Sequence, residues 1–332
     1  MQSLGLLEVT ARVSNVEARA LLTSKSYILR AWICTDVNCL EVYVLEELYV
    51  VKGPKTMAEM SWVEVAEEIK KGAKTAILVV GANEQHGPHN PMFLDTIICV
   101  EHAKIAATKL LKEGIRVLIA PSIPYGMSHH HLPFPGSIAL RASTLTDLIV
   151  DVCQSLVDAG IDKILLVVGH SGLEQISCIA NARLEVIERF GVAVGIFDRA
   201  AQAFSKEERA KILKDVPPWA TAHAGEGETA EMMAIAPKLV DKSKLTKNIP
   251  KEAEEFYSVT PALRYPCRKG GKKLKSGRYT IVPGPMDFTA GKGFAGDVTV
   301  ATEETGRKLN ERTADQMVAF IKRMIEVADK YD

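Results

Sequence analysis

Cysteine is scarce and unpatterned. Six residues (Cys34, Cys39, Cys99, Cys153, Cys178 and Cys267) are spread over 332 positions with no C-x-x-C pair. That spacing excludes a disulfide framework or a zinc knuckle and leads us to expect a reducing, cytoplasmic location. Charge of one sign is missing too: 41 Lys and Arg stand against 41 Asp and Glu. A formally neutral chain has no global field to recruit nucleic acid or an anionic membrane, so neither partner is expected. No apolar run approaches the roughly 18 residues of a membrane span. The opening MQSLGLLEVTARVSN has no basic region followed by an apolar one, so no export leader is expected. What remains is an ordinary globular balance, 47% hydrophobic and 25% charged, long enough for a large core.

Two regions differ in pattern. Residues 1–55 carry strand-like runs (SYILRAWIC, LEVYVLEELYVV) that end at the breaker KGPK, and read as a strand-rich N-terminal extension. Residues 56–330 alternate. Helical patterns over 58–72, 95–114, 143–160 and 173–191 are interleaved with apolar strand runs over 75–81, 116–122, 163–169 and 192–198. Such alternation predicts a mainly parallel sheet covered by helices on both faces. Further on come a helical pattern at 226–237, a basic stretch at 264–278, a Gly-rich segment at 284–296 and a closing helix at 303–328.

Open parallel sheets place their sites beyond the carboxyl ends of the strands. Seven of the eight histidines fall in four short segments, and three of these segments follow strand ends. In GANEQHGPHNPMFLDT, Glu84 and His86 sit in a loop just past a strand, and Asp95 opens a helix where a carboxylate can bridge two ions. Helix capping also favours Asp at that place. In YGMSHHHLPFPGS, three consecutive histidines on an extended segment diverge too far to share one ion. Ser128 and His131 are therefore read as substrate contacts. His170 follows the buried strand ILLVVG directly and is read as a metal ligand. In PPWATAHAGEGETAEMM, Trp219 offers a flat apolar wall for a cyclic substrate, and Glu228 is a candidate ligand or proton acceptor. Glu226 and Glu231 need no function there, because a helix N-terminus favours acidic residues. Imidazole with carboxylate suits Zn, Mn or Fe, so a divalent metal site is expected.

In order and spacing these segments resemble the creatininase family of metal-dependent amidohydrolases. Its E-x-H-G-x-H followed by Asp is matched by Glu84-Gln85-His86-Gly87-Pro88-His89 and Asp95. Its Y-G-x-S-x-x-H and F-P-G-T are similar to Tyr125 to His131 and Phe134 to Ser137. Its strand-end Asn-Gly-His is similar to Val168-Gly169-His170, its W-x-x-x-H-x-G-x-x-E-T to Trp219 to Thr229, and its G-D-P-T-x-A-T to Gly296 to Thr302. The resemblance implies a three-layer α/β/α fold, two divalent ions (Zn with Mn or another), and a homo-oligomer, commonly a hexamer. It implies that Glu84 and His170 hold one ion, His86 the other, that Asp95 bridges them, and that His223 is the proton donor. One departure stands out. Creatininase proper has Tyr-Glu after the strand-end histidine, the Glu being a ligand of the second ion, whereas this chain has Ser171-Gly172. Glu228 is the candidate replacement, with Glu174 nearer in sequence.

A metal pair lowers the pKa of water so that hydroxide exists at neutral pH, and polarises a carbonyl. The expected activity is hydrolysis of a small polar, cyclic substrate at an amide C–N bond, though not creatinine itself. The alternatives are C–C cleavage in an oxidised inositol and a non-catalytic, metal-stabilised assembly. RNA binding through 264–278 is disfavoured, because no aromatic platform interleaves the basic residues.

Overall fold

The computed structural model describes residues 51–199, 208, 211–215, 223–249 and 291–331, together with the backbone of four strands before residue 45. Trp219, the basic stretch 264–278 and most of the Gly-rich segment lie outside the described residues. The chain divides into two compact units, Met1–Lys52 and Gly53–Asp332. The first is an antiparallel meander of β1 (Leu7–Val13), β2 (Val16–Leu22), β3 (Leu29–Thr35) and β4 (Asn38–Val44).

The second unit starts with α1 (Trp62–Lys70), whose entry is fixed by a capping box: Ser61 accepts from Glu64 N–H while the Glu64 carboxylate accepts from Ser61 N–H. There follow β5 (Thr75–Val80), α2 (Leu94–Lys112), β6 (Val117–Ile119), α3 (Ala142–Asp158), β7 (Lys163–Val168), α4 (Leu173–Phe190) and β8 (Ala193–Asp198). After these come α5 (Glu226–Ile235), the two-residue strands β9 (Lys247–Asn248) and β10 (Gly296–Asp297), and the long α6 (Glu303–Tyr331).

The main sheet has the order β6-β5-β7-β8, every pair parallel. Its centre strands β5 and β7 are buried throughout, as their unbroken Ile, Leu and Val runs require when helices cover both faces. Ala76, Leu78, Val80, Ile164, Leu166 and Val168 pack with α3 and α4 on one face. Ile77, Val79, Leu165 and Val167 pack with α2 and α6 on the other. This is a three-layer α/β/α fold. β6 is only three residues long, shorter than its apolar run, because the chain leaves the sheet at Ala120.

The strand order explains where the site falls. From β5 the chain moves to β6 on one side, then crosses back to β7 on the other. Helices α2 and α3 therefore lie on opposite faces, and a crevice opens between the carboxyl ends of β5 and β7. Val80 is paired with Val168 in register, so the loops that follow the two strands leave side by side.

Candidate metal centre

The loop after β5 supplies Glu84, Gln85 and His86. It is pinned by Glu84 N–H donating to Met92 O at 3.0 Å, Gln85 N–H donating to Ser137 Oγ at 3.2 Å and Asn83 Nδ2 donating to Gly136 O at 2.9 Å. The PGS turn of the second histidine segment is thus a brace for the first. His170 enters from β7, and Asp95 from the first turn of α2. Asp95 does not cap that helix: α2 begins at Leu94 with Phe93 at the cap position, and the Asp95 carboxylate is buried in the crevice.

Glu84 has no exposed surface, and His86, Asp95 and His170 are buried. His170 Nδ1 lies 3.0 Å from Glu84 Oε1 and 3.8 Å from Asp95 Oδ2, while His86 Nε2 lies 3.4 Å from Asp95 Oδ1 and 4.0 Å from Glu228 Oε2. Both Glu84 oxygens, His86 Nε2 and Asp95 Oδ2 are buried with no hydrogen-bond partner among the described residues. Orphaned polar atoms at such depth are costly unless something satisfies them. A divalent ion would: two ligand atoms, each about 2.1 Å from one ion at a tetrahedral angle, stand about 3.4 Å apart. His86 is set up for that role, since its Nδ1–H donates to Glu84 O at 3.0 Å and leaves Nε2 facing Asp95. The two Asp95 oxygens face two different histidines, the disposition of a bridging carboxylate.

Ligand-capable atoms also converge in the sets Glu84, His131, His223 and His86, His223, Glu228. Glu174 belongs to no such set among the described residues. Glu228 is held by Arg199, which donates to Oε1 at 2.8 Å, and by Ala224 N–H, which donates to Oε2 at 2.8 Å. Gly172 occupies the place of the missing glutamate. A Cβ there would lie 2.3 Å from His170 Nε2, so the ring itself fills that space.

The histidine run forms a 3-10 turn, His129–His131, instead of an extended segment. His131 Nε2 reaches Glu84 Oε1 at 3.3 Å, and His130 stacks between His131 and His170 at centroid distances of 4.3 and 5.2 Å. The turn fans the side chains apart, so one ring reaches the carboxylate while the next packs behind it. Ser128 is fully buried and its Oγ has no partner among the described residues. His223 sits between the rings of His86 and His131, 4.4 and 4.5 Å away, with Nδ1 3.8 Å from Glu84 Oε1. His89 serves the frame: its Nε2 reaches Thr229 Oγ1 at 3.0 Å and Ala224 O at 3.2 Å, tying the first loop to the one carrying His223.

Burial raises the Glu84 carboxyl, yet the imidazoles of His131 and His170 beside it outweigh burial and hold the group well below the ordinary carboxylate value. Burial opposes a charge on His86, but Asp95, followed by Glu228 and Glu84, raises its pKa to about 9. His170 is raised despite its burial by Glu84 and Asp95. His223 and His131 are lowered, chiefly by burial, and are neutral at neutral pH. Burial raises Glu228, but Arg199 and His86 bring it down.

Three residues that support the cluster carried no clear signal in the sequence. Gln85 touches both His131 and His223. Arg199, at the end of β8, links Glu228 to Glu231 at 2.8 and 3.0 Å, and Glu231 reaches His102 Nε2 at 3.1 Å. Glu231 is therefore a buried ion-pair partner and not only a favourable charge at a helix end. For Arg199 the available signal was its place just beyond a strand terminus.

The creatininase family model, described as creatinine amidohydrolase, matches residues 58–321. The chain belongs to the creatininase family. It is 27% identical to creatinine amidohydrolase of Pseudomonas putida over 62% of this chain and 82% of the relative. It is 25% identical to the mycofactocin precursor peptide peptidase of Mycobacterium tuberculosis, over 80% and 91% of the two chains. It is 26% identical to 3-dehydro-scyllo-inosose hydrolase of Thermotoga maritima, over 80% and 82%. A solved structure titled creatininase Mn, 21% identical, superposes with a TM-score of 0.62 over 81% of this chain and 98% of its own. A mutant creatininase of Zn-Zn type, 20% identical, gives 0.63 over the same shares. This creatininase-family chain is accordingly a hydrolase, its fold is that of creatininase, and it carries a cluster able to hold metal. No helix among the described residues is long and apolar enough to cross a membrane.

Proposed function

We propose that the protein is a dinuclear metal-dependent amidohydrolase acting on a small polar, cyclic substrate. The observation that carries this reading is the buried convergence of Glu84, His86, Asp95 and His170, whose ligand atoms are 3.0 to 3.8 Å apart and in large part without hydrogen-bond partners. In this reading Glu84 and His170 hold one ion, His86 and Glu228 the other, and Asp95 spans both. The ions are Zn with Mn or another divalent metal, in keeping with the imidazole and carboxylate donors and with the Zn-Zn and Mn neighbours. When bound, such a pair acidifies water and polarises a carbonyl.

The chain's own residues do the rest. His223, neutral and with Nδ1 turned towards Glu84, takes up a proton and returns it to the leaving nitrogen. Ser128 and His131 contact the substrate, and Trp219 supplies an apolar wall. Burial of the crevice keeps bulk water from the reacting carbonyl. Residues 56–330 carry this activity and residues 1–55 are an extension to it. The working form is a cytoplasmic homo-oligomer, a hexamer in the family's manner; three buried free thiols, Cys99, Cys153 and Cys178, suit a reducing compartment.

Substitution of Tyr-Glu by Ser171-Gly172 removes creatinine as the expected substrate. Similarity to an inosose hydrolase over 80% of the chain supports a second reading, C–C hydrolysis in an oxidised inositol ring. Protein reconstituted with Zn or Mn should be assayed on creatinine, cyclic imides, formamidopyrimidines, short peptides and oxidised inositols. Metal-dependent opening of a cyclic amide supports the first reading, and turnover of the inositol alone the second. Bound metal with no turnover on any of them favours a metal-stabilised assembly protein.

A further inference from the structure

Gln85 is 5% exposed, and its amide is oriented from both ends. Oε1 accepts from Gly87 N–H at 3.0 Å, so Nε2 faces the opposite way, 3.0 Å from His131 Nδ1 and 3.0 Å from His223 Nε2. Gly293, at φ +77°, backs the amide oxygen. A Cβ added there would stand 1.9 Å from Oε1, so a larger residue would push the amide aside.

An amide NH2 carries two hydrogens and no lone pair. His131 Nδ1 must therefore accept from Gln85, and the single proton of the neutral ring sits on Nε2, which faces Glu84 Oε1 at 3.3 Å. A ring whose Nδ1 accepts and whose Nε2 binds an ion would have to be an imidazolate. His223 meets the same residue in another way. Its Nε2 lies 2.6 Å from the backbone carbonyl of Gln85, a pure acceptor, and 3.0 Å from the amide NH2, a pure donor, so Gln85 holds this ring in place without choosing its tautomer.

We infer that Gln85 is the positioning residue that separates the two histidines flanking Glu84: through its side-chain amide it makes His131 a fixed Nε2–H donor and not a metal ligand, a constraint it does not place on His223. The catalytic part of this inference rests on the hydrolase reading above; the tautomer does not. The Gly-rich segment gains a purpose as well, since Gly293 is what lets the amide lie where it does.

The test is a two-bond proton–nitrogen correlation spectrum of the full chain labelled at histidine with 15N, which reads each ring's tautomer directly. In the unsubstituted protein His131 is expected as Nε2–H. Gln85→Met keeps the carbonyl and removes the donor, and His131 should lose its fixed tautomer. Gln85→Glu should turn His131 to Nδ1–H. In turnover, Gln85→Met should lower kcat/KM about 10- to 100-fold with metal content unchanged. An Nδ1–H His131 in the unsubstituted protein, or a His131 tautomer indifferent to both substitutions, overturns the inference. Because the spectrum needs no substrate, the expected tautomer in a protein without hydrolase activity would uphold the role of Gln85 and reject the hydrolase reading.

Discussion

His170 Nδ1 lies 3.0 Å from Glu84 Oε1, both buried, yet the Glu84 oxygen finds no aligned hydrogen-bond donor. An imidazole and a carboxylate this close in the interior normally share a proton in line. Ligand-capable atoms of Glu84, His86 and Asp95 lie within 4.8 Å of one another, and that convergence dictates what removing each group should do.

Asp95→Asn should remove the one carboxylate among the described residues that lies within 4.0 Å of both His86 and His170. Bound metal should fall on both positions, and turnover should drop roughly 10²-fold or more, since several kcal/mol of transition-state stabilisation depend on the ions. Elemental analysis beside steady-state kinetics checks this; full metal occupancy in the variant would exclude the bridging role.

His223→Ala should lower turnover by about 10²-fold and leave metal content intact, as befits a proton-transfer group that is not a ligand. An unchanged kcat would remove His223 from the reaction.

Metal affinity should rise with pH. In the metal-free protein Asp95 and its neighbours raise His86 from 6.5 to about 9, so at neutral pH an ion must displace a proton. The same shift gives the metal-free fold stability that is fully present below pH 6.5 and is lost as pH climbs through about 9. Calorimetric titration in buffers of different ionisation enthalpy should show proton release on binding at pH 7. Binding without proton release would refute a protonated His86.

Arg199→Met should destabilise the fold by roughly 3–5 kcal/mol, because it leaves the carboxylates of Glu228 and Glu231 without the cation that pairs with them. Denaturant unfolding of the metal-free protein measures this without interference from bound ions. A loss near zero would show that the ion pairs are replaced by solvent.

Much of this was legible in the chain because the two kinds of signal are local. The apolar runs of β5 and β7 announce centre strands, and the histidines directly after them mark the carboxyl edge where an open sheet carries its site. What stayed hidden depends on distances across the fold. Gln85 is one residue among many polar loop residues until His131 and His223, 46 and 138 positions away, are seen at 3.0 Å from its amide. Glu231 looks like a helix-end charge until Arg199 and His102 arrive from β8 and α2. The 3-10 turn at His129 to His131 departs from the extended segment expected there, because three identical residues have no periodicity to read.

Elemental analysis of protein purified without chelator, with turnover followed as metal is stripped and restored, tests the dinuclear centre most directly. About two divalent ions per chain, with activity lost on stripping and regained on addition of Zn or Mn, is the predicted result. A chain that binds no ion tightly, or that turns over substrate equally well without one, would contradict it.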